Sequence, residues 1–151
     1  MVGVASFFVL NRNGSLIYDL ELQSTGSTLS SNDKIRLSST FHGISAIASQ
    51  VSPVRNRAGG AFSYPAPRGI TSMDASTFRL QCFPTLTGMK FFCVALPPLQ
   101  DCEPLLRQAY ALYSDFVLKN PFYELDMPVR CELFDREMRK LLGDPLQAAG
   151  R

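Results

Sequence analysis

A 151-residue chain that is 46% hydrophobic and 19% charged is long enough to bury a core and too apolar to stay disordered. Its net charge of +2 gives no concentrated basic patch of the kind that nucleic-acid-binding domains carry, so no nucleic-acid partner is expected. The charged fraction lies below the globular norm of about 25%, which leaves a surface that a partner can complete.

The chain opens with an apolar run, Ala5 to Leu10, closed by Asn11-Arg12-Asn13-Gly14. Leu16 to Leu22 then alternates, with Leu16, Tyr18, Leu20 and Leu22 on one face and Ile17, Asp19 and Glu21 on the other. Asn-Gly between two such runs predicts a hairpin. The first run is apolar on both faces and reads as an interior strand.

A polar connector, Gln23 to Leu29, leads to Ser30, which stands three residues before Asp33. That is the spacing of a capping box. Leu37, Phe41, Ile44, Ala48 and Val51 follow at steps of three and four and predict the buried stripe of a helix, with Ile35 and Ile47 widening it. Ser52-Pro53 ends the helix. From Val54 to Ser72 periodicity dissolves around Gly59-Gly60, Pro65 and Pro67, and Arg55, Arg57 and Arg68 carry the charge. This reads as a basic, solvated loop, with a short strand near Ile70 to Met73.

Thr77 to Phe83 and Met89 to Leu96 flank a turn at Thr85-Leu86-Thr87-Gly88 and predict a second hairpin. Pro97-Pro98 breaks the chain, Asp101 is placed to cap a helix, and Pro104 fits its first turn. Two adjacent rows, Leu105, Ala109, Leu112, Phe116 and Leu106, Tyr110, Tyr113, Val117, form a face wide enough to lie flat on a sheet. Asn120-Pro121 cuts this helix. Phe134, Met138 and Leu141 mark a last one, stopped by Gly143 and Pro145, with a frayed tail over 143–151. Strands joined by hairpins, with helices grouped apart, predict an α+β fold on an antiparallel sheet, in the order β-β-α-β-β-β-α-α.

Covalent chemistry has little to work with here. Cys82, Cys93, Cys102 and Cys131 form no C-x-x-C pair and read as free thiols of a reducing compartment. His42 is the only histidine, which leaves a cysteine nucleophile one candidate base and a zinc ion too few ligands. No phosphate-binding glycine loop is present. The N-terminus lacks a basic n-region, and neither coiled-coil heptads nor a membrane anchor follow Asp135. A non-catalytic cytoplasmic protein with no cofactor is therefore expected.

The connector between the last two helices is the exception to this blandness. Phe122, Tyr123, Glu124, Asp126, Met127 and Arg130 crowd aromatic, acidic and basic groups into nine positions. Acidic neighbours would repel a phosphate backbone. The aromatics are therefore either plugs that fold the connector onto the core or anchors of a protein interface, where such residues concentrate. We take these six as the candidate partner interface.

Three stretches carry a family resemblance: Ser-Ser-Thr-Phe-His-Gly-Ile-Ser-Ala-Ile-Ala-Ser-Gln-Val-Ser-Pro (38–53), Thr-Phe-Arg-Leu-Gln-Cys-Phe-Pro-Thr-Leu-Thr-Gly-Met-Lys-Phe (77–91) and Tyr-Ser-Asp-Phe-x-Leu-Lys-Asn-Pro-Phe-Tyr (113–123). They resemble the synbindin family, small subunits of the TRAPP vesicle-tethering complex, from about Ser6 to Asp135. The resemblance implies a single longin-like domain over residues 1–151, with one helix on one face of about five strands and two helices on the other. It further implies a place between other TRAPP-type subunits, and a share in the surface that promotes guanine-nucleotide exchange on a Rab-type GTPase. It also implies peripheral membrane contact through the complex, at the endoplasmic reticulum and cis-Golgi. Animal members carry a PDZ-like insertion where only Gln23 to Leu29 stands here, so partners of that insertion are not implied. The loop from Val54 to Ser72 also departs from the family pattern. The alternatives are the regulatory longin domain of a membrane-fusion or coat protein, and a small thiol enzyme.

Overall fold

In a computed structural model, residues 3–22, 28–51, 69–97 and 101–143 are described. Five strands, β1 (Val4–Leu10), β2 (Leu16–Glu21), β3 (Ser72–Asp74), β4 (Arg79–Pro84) and β5 (Lys90–Ala95), form one antiparallel sheet in the order β2-β1-β5-β4-β3. The helices are α1 (Ser31–Val51), α2 (Glu103–Tyr113), continued by a π-helical turn over Ser114–Leu118, and α3 (Glu132–Leu142). The predicted α+β order is the observed one.

The two hydrophobic clusters follow from strand parity. Phe7 and Val9 of β1, with Phe91, Cys93 and Ala95 of β5, face α2 and α3 and meet Leu105, Leu106, Ala109, Tyr113, Phe134 and Met138. Their alternates, Phe8, Leu10 and Phe92, meet α1 through Phe41. β1 and β5 are covered on both faces, as a doubly apolar run requires. Tyr18 ties β2 to α3, its hydroxyl donating to Asp135 Oδ1 at 2.9 Å. Burial, reinforced by that carboxylate, pushes the Tyr18 phenol well above its ordinary range.

The β1–β2 turn uses Asn11 as predicted, its Oδ1 accepting the backbone N–H of Asn13 and Ser15. Gly14 sits at φ 85° under the His42 ring, where an added Cβ would lie 2.5 Å from the imidazole. Only glycine satisfies both demands. A bulge between Val9 and Leu10 pairs Leu10 with Leu16 and skips Ile17. Parity flips there. Leu16 therefore packs on the α1 side, while Ile17 joins Tyr18, Leu20 and Leu22 opposite α1. This corrects the uninterrupted alternation expected for β2.

Ser30 caps α1 as predicted: Asp33 N–H donates to its Oγ at 3.2 Å, and that hydroxyl donates to Asp33 Oδ2 at 2.6 Å. The buried stripe of α1 keeps Leu37 and Phe41 of the predicted one and departs from it elsewhere. Ser38, Phe41 and Ser45 are buried, whereas Ile35, Ile44, Ile47 and Val51 are exposed. The Phe41 ring sits 4.7 Å from that of Phe92, Ser38 donates its hydroxyl back to Lys34 O, and Ser45 is covered by Gly69. The end of the expected loop also differs, since Ile70 packs on the α1 cluster and its N–H donates to Ser45 Oγ. Most of that loop, with its arginines, lies outside the described residues, as do Gln23 to Ser27, Pro98 to Gln100 and the tail from residue 144.

Asp101 caps α2 from one position outside the helix, its Oδ1 accepting Glu103 N–H at 3.0 Å. α3 ends at Gly143 in the left-handed region, φ 72°, as its sequence predicts.

Candidate functional site

The connector from Lys119 to Cys131 belongs to neither helix nor strand, yet its backbone is fastened at several points. Asn120 starts it: its N–H donates to Val117 O, its carbonyl accepts Tyr123 N–H, and its side-chain oxygen accepts Phe122 N–H at 3.1 Å. Glu124 O accepts Met127 N–H, which closes a turn. Asp126 holds φ 68° within that turn, a conformation that costs a non-glycine residue free energy. Further on, Val129 is buried and its N–H donates to Ile17 O of β2 at 2.8 Å, and the Cys131 thiol reaches Phe116 O at 3.8 Å.

Tyr123 holds the turn to the core. Tyr113, at 1% exposure, places its hydroxyl near that of Tyr123. The Tyr123 hydroxyl in turn donates to Met127 O at 2.8 Å. Burial, and next the bond to Tyr123, raise the Tyr113 phenol. Tyr123 is raised by burial against the lowering effect of the hydrogen bond it accepts. Both rings therefore stay neutral through the physiological range and act as hydrogen-bonding struts.

This bracing separates two neighbours that sequence treats alike. Tyr123 packs on the α2–α3 cluster, while Phe122 projects into solvent at 92% exposure. Leu125 at 72%, Met127 and Leu118 are exposed beside it, and Leu133 at the start of α3 as well. Glu124, Asp126 and Arg130 are also exposed. A groove of about 320 Å³ runs between Val117, Phe122, Tyr123, Met127 and Val129. Five of the six candidate residues, Phe122, Tyr123, Glu124, Met127 and Arg130, line this groove, and Asp126 does not. Leu118, Leu125 and Leu133 are exposed as well and were not singled out from sequence. They are large apolar residues at segment ends, and nothing in periodicity marks them as exposed.

A second apolar strip lies on α1, on the other face of the sheet from α2 and α3. Ile44, Ile47 at 62% exposure and Val51 at 76% recur along one helical flank. A contiguous exposed apolar surface of this kind marks an interaction face more often than a monomer's ordinary exterior.

Chemistry of other kinds finds no assembled centre among the described residues. No group of three His, Cys, Asp or Glu converges to hold a metal ion. His42 faces Lys90, with Nδ1 3.3 Å from Nζ, and burial together with that cation lowers its pKa below 6.5. No described helix is long and apolar enough to cross a membrane.

Comparison with known proteins agrees with the architecture. The model of the Sybindin-like family matches residues 4–144. Trafficking protein particle complex subunit 4 of Dictyostelium discoideum is 46% identical over 140 residues, which cover 93% of this chain and 96% of that protein. The Homo sapiens subunit 4 is 42% identical over 125 residues, 83% of this chain and 52% of that protein. Trafficking protein particle complex subunit 1 of Dictyostelium discoideum is 22% identical over 142 residues. The chain therefore spans nearly the whole Dictyostelium subunit 4 and about half the length of the human one.

Proposed function

The chain belongs to the Sybindin-like family, and from that premise we propose that it is a non-catalytic subunit of a TRAPP-like complex in vesicle transport between the endoplasmic reticulum and the Golgi. The observation that carries the reading is the braced connector. Apolar side chains from Leu118 to Met127 are held outward at fixed points, at the cost of a strained Asp126 and without covering the core. Rigid anchors of this kind lose little entropy on binding, which is what a permanent subunit contact rewards.

Two apolar strips on different sides of the sheet suit a subunit that sits between neighbours. In this reading the connector strip docks one TRAPP-type subunit through Phe122 and Met127, with Glu124, Asp126 and Arg130 at the rim setting register. The assembled complex then contacts a Rab-type GTPase and favours its nucleotide-free form. Exchange breaks no covalent bond, so a differential affinity for that form suffices. Membrane contact is peripheral and comes through the complex.

The test is affinity purification of the tagged chain from cells, with mass spectrometry of what accompanies it. Other TRAPP-type subunits in fixed proportion are expected. The complex rebuilt with Phe122→Ala and Met127→Ala should lose a subunit and, with it, exchange activity on the GTPase measured with a fluorescent guanine nucleotide. Recovery of the chain alone, or a variant complex that assembles and exchanges normally, would overturn the assignment.

A further inference from the structure

We propose that the groove between α3 and the connector takes an acidic, extended segment of a partner protein, held by Arg130 and Arg136. The inference rests on the subunit role proposed above and names the chemistry of a contact beside the Phe122 groove.

The groove holds about 510 Å³, within the size range of ligand sites, about 300–1,000 Å³. It is lined by Tyr18 of β2, by Arg130 of the connector, and by Glu132, Asp135, Arg136 and Arg139 of α3. Those four α3 positions are spaced by three, one and three residues and so share one helical face. Three guanidinium groups thus meet two carboxylates, and one carboxylate is already committed. Asp135 Oδ1 accepts the Tyr18 hydroxyl at 2.9 Å, and its Oδ2 accepts Arg139 Nε at 3.0 Å. Arg130 and Arg136 then stand against Glu132 alone.

Neither of these two arginines is well matched within the chain. Arg130 makes no hydrogen bond or ion pair with another described residue, although the backbone beside it is pinned by Val129 N–H on Ile17 O at 2.8 Å. Arg136 Nε reaches Glu137 Oε1 only at 3.5 Å, and that oxygen already takes Lys140 Nζ at 2.8 Å. The amino end of α3 opens into the same groove at Cys131 and Glu132 and has no side-chain cap, which adds to the attraction for negative charge. Arginine forks pair best with carboxylates. Because the two forks stand on different elements, a chain passing between them engages both where one small anion engages one. Arg130 also lines the groove under Phe122, so a protein docked on the connector reaches the arginines without a gap. Glu132 opposes the guest.

The probe is a fluorescein-labelled hexaglutamate peptide, titrated with the purified chain at low salt and followed by anisotropy. Saturable binding that weakens as salt rises is expected. Arg130→Gln and Arg136→Gln should each weaken it about threefold, and together about tenfold. Glu132→Gln should tighten it. Arg36→Gln removes the same charge from α1, outside the groove, and should leave it unchanged. All four side chains are exposed, and urea unfolding checks that each variant stays folded. The proposal is overturned if no saturation occurs by about 1 mM chain, or if Arg36→Gln weakens binding as much as Arg136→Gln. It also falls if phosphatidylserine vesicles bind through Arg130 and Arg136 while hexaglutamate does not. Any of these results, with TRAPP-type subunits still recovered by affinity purification, removes the acidic segment and leaves the subunit role standing.

Discussion

Tyr123→Phe should cost about 2–3 kcal/mol of folding stability, because it removes one oxygen from the middle of a hydrogen-bond chain. In the native protein the Tyr123 hydroxyl donates to Met127 O at 2.8 Å, which leaves its oxygen as the acceptor available to the neighbouring Tyr113 hydroxyl. Tyr113 stays buried in the variant, and a buried donor left without a partner costs about 1–3 kcal/mol. Met127 O lies at the surface, where water replaces the lost donor, so this second bond contributes no more than about 1 kcal/mol. Tyr113→Phe combined with Tyr123→Phe removes both polar groups from the buried link. The pair should therefore be more stable than Tyr123→Phe alone, with a coupling of about 1–2 kcal/mol. Urea unfolding of wild type, both single variants and the double variant measures the cycle. Amide exchange should quicken from Asn120 to Met127 in Tyr123→Phe, with α2 unchanged. If Tyr123→Phe costs under about 0.5 kcal/mol and the two substitutions are additive, Tyr123 is no strut and the outward pose of Phe122 needs another cause.

Phe122→Ala should leave unfolding within about 0.5 kcal/mol of wild type, since an exposed ring contributes little to folding, yet weaken subunit binding by about 2 kcal/mol or more. Urea unfolding and calorimetric titration with a neighbouring subunit separate the two effects. Gly14→Ala should destabilise by about 2 kcal/mol or more, from strain at positive φ and collision with His42. Gly14→Ala joined to His42→Ala should regain part of that loss in the same unfolding measurement. Acidification should lower stability below about pH 6.5, because folding depresses the His42 pKa and the unfolded chain takes up a proton that the folded one resists. The contribution is fully present above that pH and is lost as pH falls towards the folded pKa. His42→Gln should flatten this part of a plot of thermal midpoint against pH, and an unchanged slope would contradict it.

Most of the sheet is legible in the sequence because its signals are local. Asn11 to Gly14 between apolar runs, and the hydroxyl of Ser30 three residues before Asp33, need only their neighbours to act. The face of α1 is not local in this sense. Apolar periodicity selects Ile44 and Val51, but the fold buries Ser38 and Ser45, the latter under Gly69 and Ile70, and serine reads as polar in any hydropathy pattern. The bulge at Leu10 is hidden for a related reason, since it depends on how two strands register. Within the connector, sequence and resemblance locate the strip but do not orient it. Phe122 and Tyr123 are adjacent aromatics in a segment without period. What separates them is a hydroxyl reaching Met127 O and Tyr113, and a ring without that hydroxyl turns outward.

The single bond from Val129 N–H to Ile17 O has a consequence for solubility. β2 is an outer strand, and an uncovered outer strand is a template on which a second chain can grow. With the Ile17 carbonyl taken and Val129 seated beside it, two copies cannot join along β2 at this position without first prising the connector away. The segment that offers Phe122 outward thus also works as a guard rail, and its two duties are mechanically linked. Lesions that slacken the connector should therefore produce aggregates as well as orphaned subunits, whereas truncating Phe122 alone should produce only the latter.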